Sequence, residues 1–390
     1  MSSYIPYGRQ HITEDDIKSV VEVLRSPYIT QGPQLEQFEE SVSNAVNAKY
    51  SVAVSSATAA LHLACLALDL SPGDILWTTP TTFVASANCA LYCRASIDFV
   101  DIERSTGLIS VDLLEDKLIK AKSANALPKV LVVVHLTGTS CDMQPIKQLS
   151  EKYNFSIIED ASHAIGGRYD SQPVGSCLYS DLTVFSFHPV KIITTGEGGV
   201  ISTNNLSLAQ KLKTLRSHGI IKDHSSFEYQ APGPWAYEQQ ELGYNYRLTD
   251  IQAALGISQL KRLKSVVQER TIIKNIYREQ LQSLPARILA EPSKSQSSVH
   301  LVVLDLIRSD PDFHRNIFLW LRNNGIGVQL HYTPVHLQPY YRKIGFNVGD
   351  FPNSEDYAIN AISLPVYPGL SPTCQSKVIN CLFEAFAKYS

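Results

Sequence analysis

The chain has 390 residues, 44% hydrophobic and 18% charged, with 34 Lys and Arg against 37 Asp and Glu, a net charge of −3. This is a globular balance at two-domain length, which excludes a disordered chain and lacks the basic excess of a nucleic-acid binder. Apolar runs such as Val130 to Val134 are far too short to cross a bilayer, and the opening MSSYIPYGRQHITEDD has neither a basic nor an apolar signal region, so a cytoplasmic protein with no membrane contact is expected.

Residues 13–25 (TEDDIKSVVEVLR) open on Thr13 and acids and continue at helical spacing, which predicts a capped amphipathic helix. SPYITQGP (26–33) reads as a loop and residues 34–47 as a second helix. Strand and helix patterns then alternate. YSVAVSS (50–56) is a short buried strand, followed by the helix ATAALHLACLALDL (57–70). DILWTTPTTF (74–83), ASIDFVDI (95–102), KVLVVVHLTG (129–138), FSIIEDASH (155–163), DLTVFSFHP (181–189) and GGVISTN (198–204) read as further strands. Such alternation predicts an open, mostly parallel α/β sheet with its ligand beyond the carboxyl ends of the strands. Residues 250–282 read as one long helix, and the strand candidates HLVVLDL (300–306) and GVQLHY (327–332) belong to a smaller α+β region. The domain boundary is therefore expected near residue 260, with a large domain at 1–260 and a small one at 261–390. Seven cysteines without a CxxC pair are expected to be reduced core residues.

Three segments carry chemistry. Ser55-Ser56-Ala57-Thr58 places small and hydroxyl residues at a strand-to-helix turn, which reads either as a helix cap or as an anion site on open N–H groups. Glu159 and Asp160 end a strand, and alternation sends them to opposite faces, so only one of them can face a given site; Asp160 reads either as a site carboxylate or as a helix cap or salt-bridge partner. Lys191 follows a buried strand and precedes the glycine-rich turn of SFHPVKIITTGEGG (186–199); it reads either as a loop lysine or as a buried amine of lowered pKa. There is no GxxxxGK[ST], nor a GxGxxG after a strand, which weakens nucleotide-triphosphatase and dinucleotide readings. An anion cup, a carboxylate and a lysine on one sheet rim are what pyridoxal 5'-phosphate (PLP) requires.

The motifs ITQGP (29–33), SSATAAL (55–61), TTPTTFVASAN (78–88), EDASHAIGG (159–167), SFHPVKIITTGEGG (186–199), RSHG (216–219) and GYNYRLTDIQAALGISQL (243–260) run in order over nearly the whole chain. The sequence resembles the fold-type I PLP-dependent aminotransferases of the DegT/DnrJ/EryC1/StrS family, which act on nucleotide-linked keto-sugars. SHAIG, SFHPVK, LTDIQAALGISQLKRL and GVQLHYTPVH are most similar to members of the pseudaminic acid pathway type. Those members move an amino group from glutamate to C4 of a UDP-linked 4-keto-6-deoxy-N-acetylhexosamine. A C3 or C4 aminotransferase for another dTDP- or UDP-keto-sugar, or a PLP-dependent sugar dehydratase, is the alternative. Dehydratases of this fold carry histidine in place of the lysine, which disfavours them here.

The resemblance implies a seven-stranded-type, mostly parallel sheet in the large domain, and the following roles. Lys191 holds PLP as an imine, and Asp160 pairs with the pyridinium nitrogen. Ala57, Thr58 and Ser186 hold the phosphate; Phe83 stacks on the ring and His163 lies by its hydroxyl. Asn245 reaches the cofactor phosphate of a neighbouring subunit, which makes the enzyme a homodimer with shared sites. The sugar nucleotide falls to Tyr7, the loop Pro27, Tyr28, Ile29 and Thr30, and the stretch Gln329, Leu330, His331 and Tyr332. Apart from the resemblance, His188, three residues before Lys191, reads either as a residue lining the substrate site or as a structural hydrogen-bonding group. Thr139, where many relatives have Gln, and the Pro27-Tyr28 pair depart from the family pattern on the expected substrate side.

Overall fold

The structure, a computed structural model, describes residues 4–308 and 310–389. The outermost residues of both expected domains, 1–3 and 390, lie outside that range. Seven strands form the main sheet: β1 (Tyr50–Val54), β2 (Ile75–Thr78), β3 (Ser96–Phe99), β4 (Val130–Val134), β5 (Ser156–Asp160), β6 (Leu182–Ser186) and β7 (Gly199–Thr203). Their order is β1-β7-β6-β5-β4-β2-β3. The pairs from β3 across to β6 are parallel, while β7 runs antiparallel to both β6 and β1. The central strand β4, VLVVV, is a continuous apolar run because helices cover both faces. Val132 and Val134 pack with the helices Ala57–Ala67 and Ala85–Tyr92 on one face; Leu131 and Val133 pack toward Val111–Ser123 and Met143–Tyr153 on the other.

One register fact positions the site. Gly199, the first residue of β7, pairs with both Val54 and Ser186, the last residues of β1 and β6. The carboxyl ends of β1, β5 and β6 therefore meet at one rim, where β7 begins. The loop joining β6 to β7 carries Lys191 across that rim.

The C-terminal part packs the three-stranded antiparallel sheet Arg287–Ile288, Val302–Asp305 and Ala361–Leu364 against the helices Leu263–Gln280, Pro311–Asn323 and Pro372–Tyr389, around its own core. Two expectations change here. The stretch 250–282 is two helices, Asp250–Leu260 and Leu263–Gln280. At the break the Gln259 amide and the Arg262 guanidinium both donate to Asp16 Oδ2, each at 2.7 Å, the same oxygen that accepts the Thr13 N–H at the first helix. GVQLHY is not a strand: it makes a single bridge, Gln329 to Ser363, after which His331 and Tyr332 reach the cavity described below. Burial does not follow the alternating pattern, since His331 is buried while Leu330 and Tyr332 are only partly so. All seven cysteines are free thiols and all but Cys374 are buried. Among the described residues no helix is long and apolar enough to cross a membrane.

Candidate active site

β5 ends on two carboxylates that alternation separates. Glu159 points into the protein, where it meets His135 Nε2 at 2.7 Å and Thr183 Oγ1 at 3.2 Å. Burial pushes its carboxyl up, but His135, Ser180 and Thr183 outweigh that and hold it below the usual range. Asp160 points the other way, onto a cavity of about 640 Å³. Its Oδ1 accepts the Ser162 N–H at 3.1 Å and its Oδ2 the Ser86 hydroxyl at 2.6 Å.

The turn after β1 leads into the Ala57–Ala67 helix. Ser56 caps it: its Oγ accepts from Ala59 N–H at 3.1 Å and its carbonyl from Ala60 N–H at 3.0 Å. Ala57 and Thr58, whose N–H groups have no partner inside the helix, line the cavity together with Ser186. The positive end of the helix dipole thus faces the same space. Gly199 makes this close approach feasible, since a Cβ there would fall 2.6 Å from Ser56 C and 2.7 Å from Ala57 N.

Lys191 lies opposite, its N–H donating to His188 O at 2.9 Å. Burial lowers its ammonium to about 8, with the charge of Asp160 resisting the shift. The imidazoles of His163, His300 and His331 also line the cavity. The His163 and His300 rings are 4.3 Å apart, and His163 Nε2 lies 3.1 Å from the Tyr332 hydroxyl. Burial, reinforced by Lys191, keeps His163 and His300 well below the usual histidine range and His331 at about 3. The three rings are neutral near pH 7, so the wall adds no positive charge beside the amine. His163 Nδ1 is buried without a partner.

The cavity brings together Tyr7, Ala57, Thr58, Phe83, Asp160, His163, Ser186, His188, Lys191, His331 and Tyr332. It does not include the rest. Pro27, Tyr28, Ile29 and Thr30 form an exposed loop tied back by Asp250 N–H to Ile29 O at 3.1 Å. Gln329 is exposed beside Ser363, and Leu330 packs on the core. Asn245 is exposed and bridges Ser217 outside the cavity. Within one chain none of these seven positions lines the cavity. Thr139 likewise does not line the cavity; its hydroxyl meets Thr137 Oγ1 at 3.0 Å. Ser86, Thr82 and His300 were not singled out from sequence. Thr82 precedes the Ala85–Tyr92 helix, so no helical spacing relates it to Ser86 and the sequence carries no local signal for their pairing.

The fit to PLP rests on chemistry present in the chain: first-turn N–H donors for a phosphate, a buried carboxylate for a protonated ring nitrogen, an amine of lowered pKa, and the unpartnered His163 Nδ1.

The model of the DegT/DnrJ/EryC1/StrS aminotransferase family matches residues 10–383. The chain is 37% identical over 389 residues to the UDP-4-amino-4,6-dideoxy-N-acetyl-beta-L-altrosamine transaminase of Campylobacter jejuni, covering 98% of each. Among solved structures it superposes on Helicobacter pylori PseC, an aminotransferase involved in the biosynthesis of pseudoaminic acid, with a TM-score of 0.90 and 31% identity, covering 99% of this chain and 100% of that one. Spr1654 from Streptococcus pneumoniae in its PMP-form matches with a TM-score of 0.90 and 30% identity, at 99% and 100% coverage. The chain belongs to the DegT/DnrJ/EryC1/StrS aminotransferase family and is a PLP-dependent aminotransferase.

Proposed function

We propose that the enzyme transfers the amino group of glutamate to C4 of a UDP-linked 4-keto-6-deoxy-N-acetylhexosamine. The observation that carries the site assignment is the meeting of Lys191, Asp160 and the first turn of the Ala57–Ala67 helix on one cavity. The likeness to the Campylobacter transaminase over nearly the full chain supports the choice of sugar.

PLP, when bound, supplies an electron sink for the pair left behind when a C–H bond is broken beside the nitrogen. The rest falls to the chain. Ala57 and Thr58 N–H groups and the Ser186 hydroxyl hold the phosphate, and the helix dipole favours its charge. Asp160, as an anion, keeps the ring nitrogen protonated. Phe83, half exposed at the mouth, would cover a ring face, and His163, whose Nδ1 has no partner, would lie by the ring hydroxyl. Lys191 anchors the cofactor and, once displaced, takes the proton from the α carbon of glutamate. In the second half it delivers a proton to C4 of the sugar. One amine serves both halves, which gives ping-pong kinetics.

Tyr7, His188, His331 and Tyr332 meet the sugar from the same chain. Asn245 and the outlying positions Pro27, Tyr28, Ile29, Thr30, Gln329 and Leu330 act at the outer rim, Asn245 in the site of the other subunit of a homodimer. The chain works in the cytoplasm as two domains, 1–260 and 261–390; a C-terminal apolar cluster that takes only Ile5 from the first 260 residues supports that division.

The test is incubation with glutamate and a panel of UDP- and dTDP-linked 3-keto and 4-keto sugars, with amination read by mass. Amination of the UDP-linked 4-keto sugar is expected. Reaction of 3-keto sugars alone would overturn the assignment to C4.

A further inference from the structure

Asp160 is held from behind by a chain of hydroxyls to which the proposed chemistry assigns nothing. Ser86, fully buried in the first turn of the Ala85–Tyr92 helix, donates to Asp160 Oδ2 at 2.6 Å. Thr82, also buried, places Oγ1 2.8 Å from Ser86 Oγ. A hydroxyl has one proton. An ionised carboxylate only accepts, so the Ser86 proton points to Asp160 and Thr82 must be the donor in the second bond. The chain therefore has a single polarity, Thr82 to Ser86 to Asp160, and each bond strengthens the next in a site shielded from water. With Ser162 N–H on Oδ1, both carboxylate oxygens accept, and the group cannot rotate without breaking a charge-assisted bond.

We propose that Ser86, backed by Thr82, is a positioning residue that locks Asp160 as an oriented anion on the cavity floor. The proposal rests on the reading of Asp160 as the partner of the cofactor ring nitrogen. A carboxylate that already accepts two bonds is less basic, so it leaves the shared proton on the ring nitrogen. Without the Ser86 donor the carboxylate becomes the better base and draws that proton toward itself. The ring then loses positive charge. Any protonated nitrogen conjugated with the ring is repelled less and gives up its proton at higher pH.

The experiment compares the parent with Ser86→Ala, Thr82→Val and Asp160→Asn by pH titration of the visible absorbance of the holoenzyme, with apoenzyme Tm as a folding check. Ser86→Ala is expected to move the titration midpoint upward by at least half a pH unit and to lower kcat about tenfold with KM little changed. Thr82→Val, which keeps Ser86 but removes its donor, is expected to move the midpoint in the same direction by less. A folded Ser86→Ala with the parent midpoint overturns the proposal. If Ser86→Ala does not fold, Thr82→Val decides in the same way. Asp160→Asn separates the two readings: if it moves the midpoint and Ser86→Ala does not, only the relay fails; if Asp160→Asn moves nothing, the assignment of Asp160 itself fails.

Discussion

Lys191 occupies a position where burial and one neighbouring charge compete. Burial wins and brings the amine to about 8, against 10.5 for a free lysine. Below that value the amine is protonated and cannot attack; above it the neutral form dominates. Capture of PLP by apoenzyme should accordingly speed up as pH rises and level off above about 8. A rate that is flat from about pH 7 to 9 would contradict this. Lys191→Ala is expected to abolish amination and the visible band that reports the covalent link; persistence of that band would show that another group holds the cofactor. Asp160→Asn keeps the shape and loses the charge. It should cost roughly 3 kcal/mol of transition-state stabilisation, a hundredfold or more in kcat, by analogy with the loss of a preorganised electrostatic group. A near-parental rate would mean that the ring nitrogen is paired elsewhere.

The decisive element is the turn from β1 into the Ala57–Ala67 helix, and its geometry depends on β7 passing beneath it. Gly199 has no room for a side chain because the Ser56 and Ala57 backbones are in the way. Gly199→Ala should push the helix start away from the rim. About 1–3 kcal/mol of stability should be lost through overpacking, together with a tenfold or greater loss in PLP affinity. Thermal melts and fluorescence titration of the apoenzyme measure the two effects, and unchanged PLP affinity would argue against a phosphate site at this turn. The broken helix at 260–263 shows the opposite relation of sequence to element. Its residues all favour helix, yet Gln259 and Arg262 turn to Asp16, contacts 243 and 246 residues away along the chain.

At the scale of the whole molecule, one chain leaves Asn245 outside its own cavity. If Asn245 completes the site of the other subunit, Lys191→Ala and Asn245→Ala chains are each inactive alone, yet a mixed dimer has one intact site. After unfolding and joint refolding, the mixture should regain on the order of a quarter of parental activity, as random pairing makes half the dimers mixed and half of their sites intact. No recovery from chains shown to be dimeric by sedimentation would place Asn245 in its own subunit. A monomeric active enzyme would remove the shared site altogether.

The strands of the main sheet could be read from local pattern, because a strand buried between two helical layers carries a run of apolar residues bounded by turn residues. The split of Glu159 from Asp160 was legible for the same reason: a period of two is a property of the extended backbone. The antiparallel insertion of β7, the donor from Ser86 to Asp160 and the neutral histidine wall were not, because they join residues far apart in the chain. The hydroxyl that holds Asp160 lies 74 positions before it. Lys191 shows the division most plainly. Its identity and its place after a buried strand are written locally, whereas its lowered pKa is a property of the cavity, which forms when three strand ends and the C-terminal segment close around the amine.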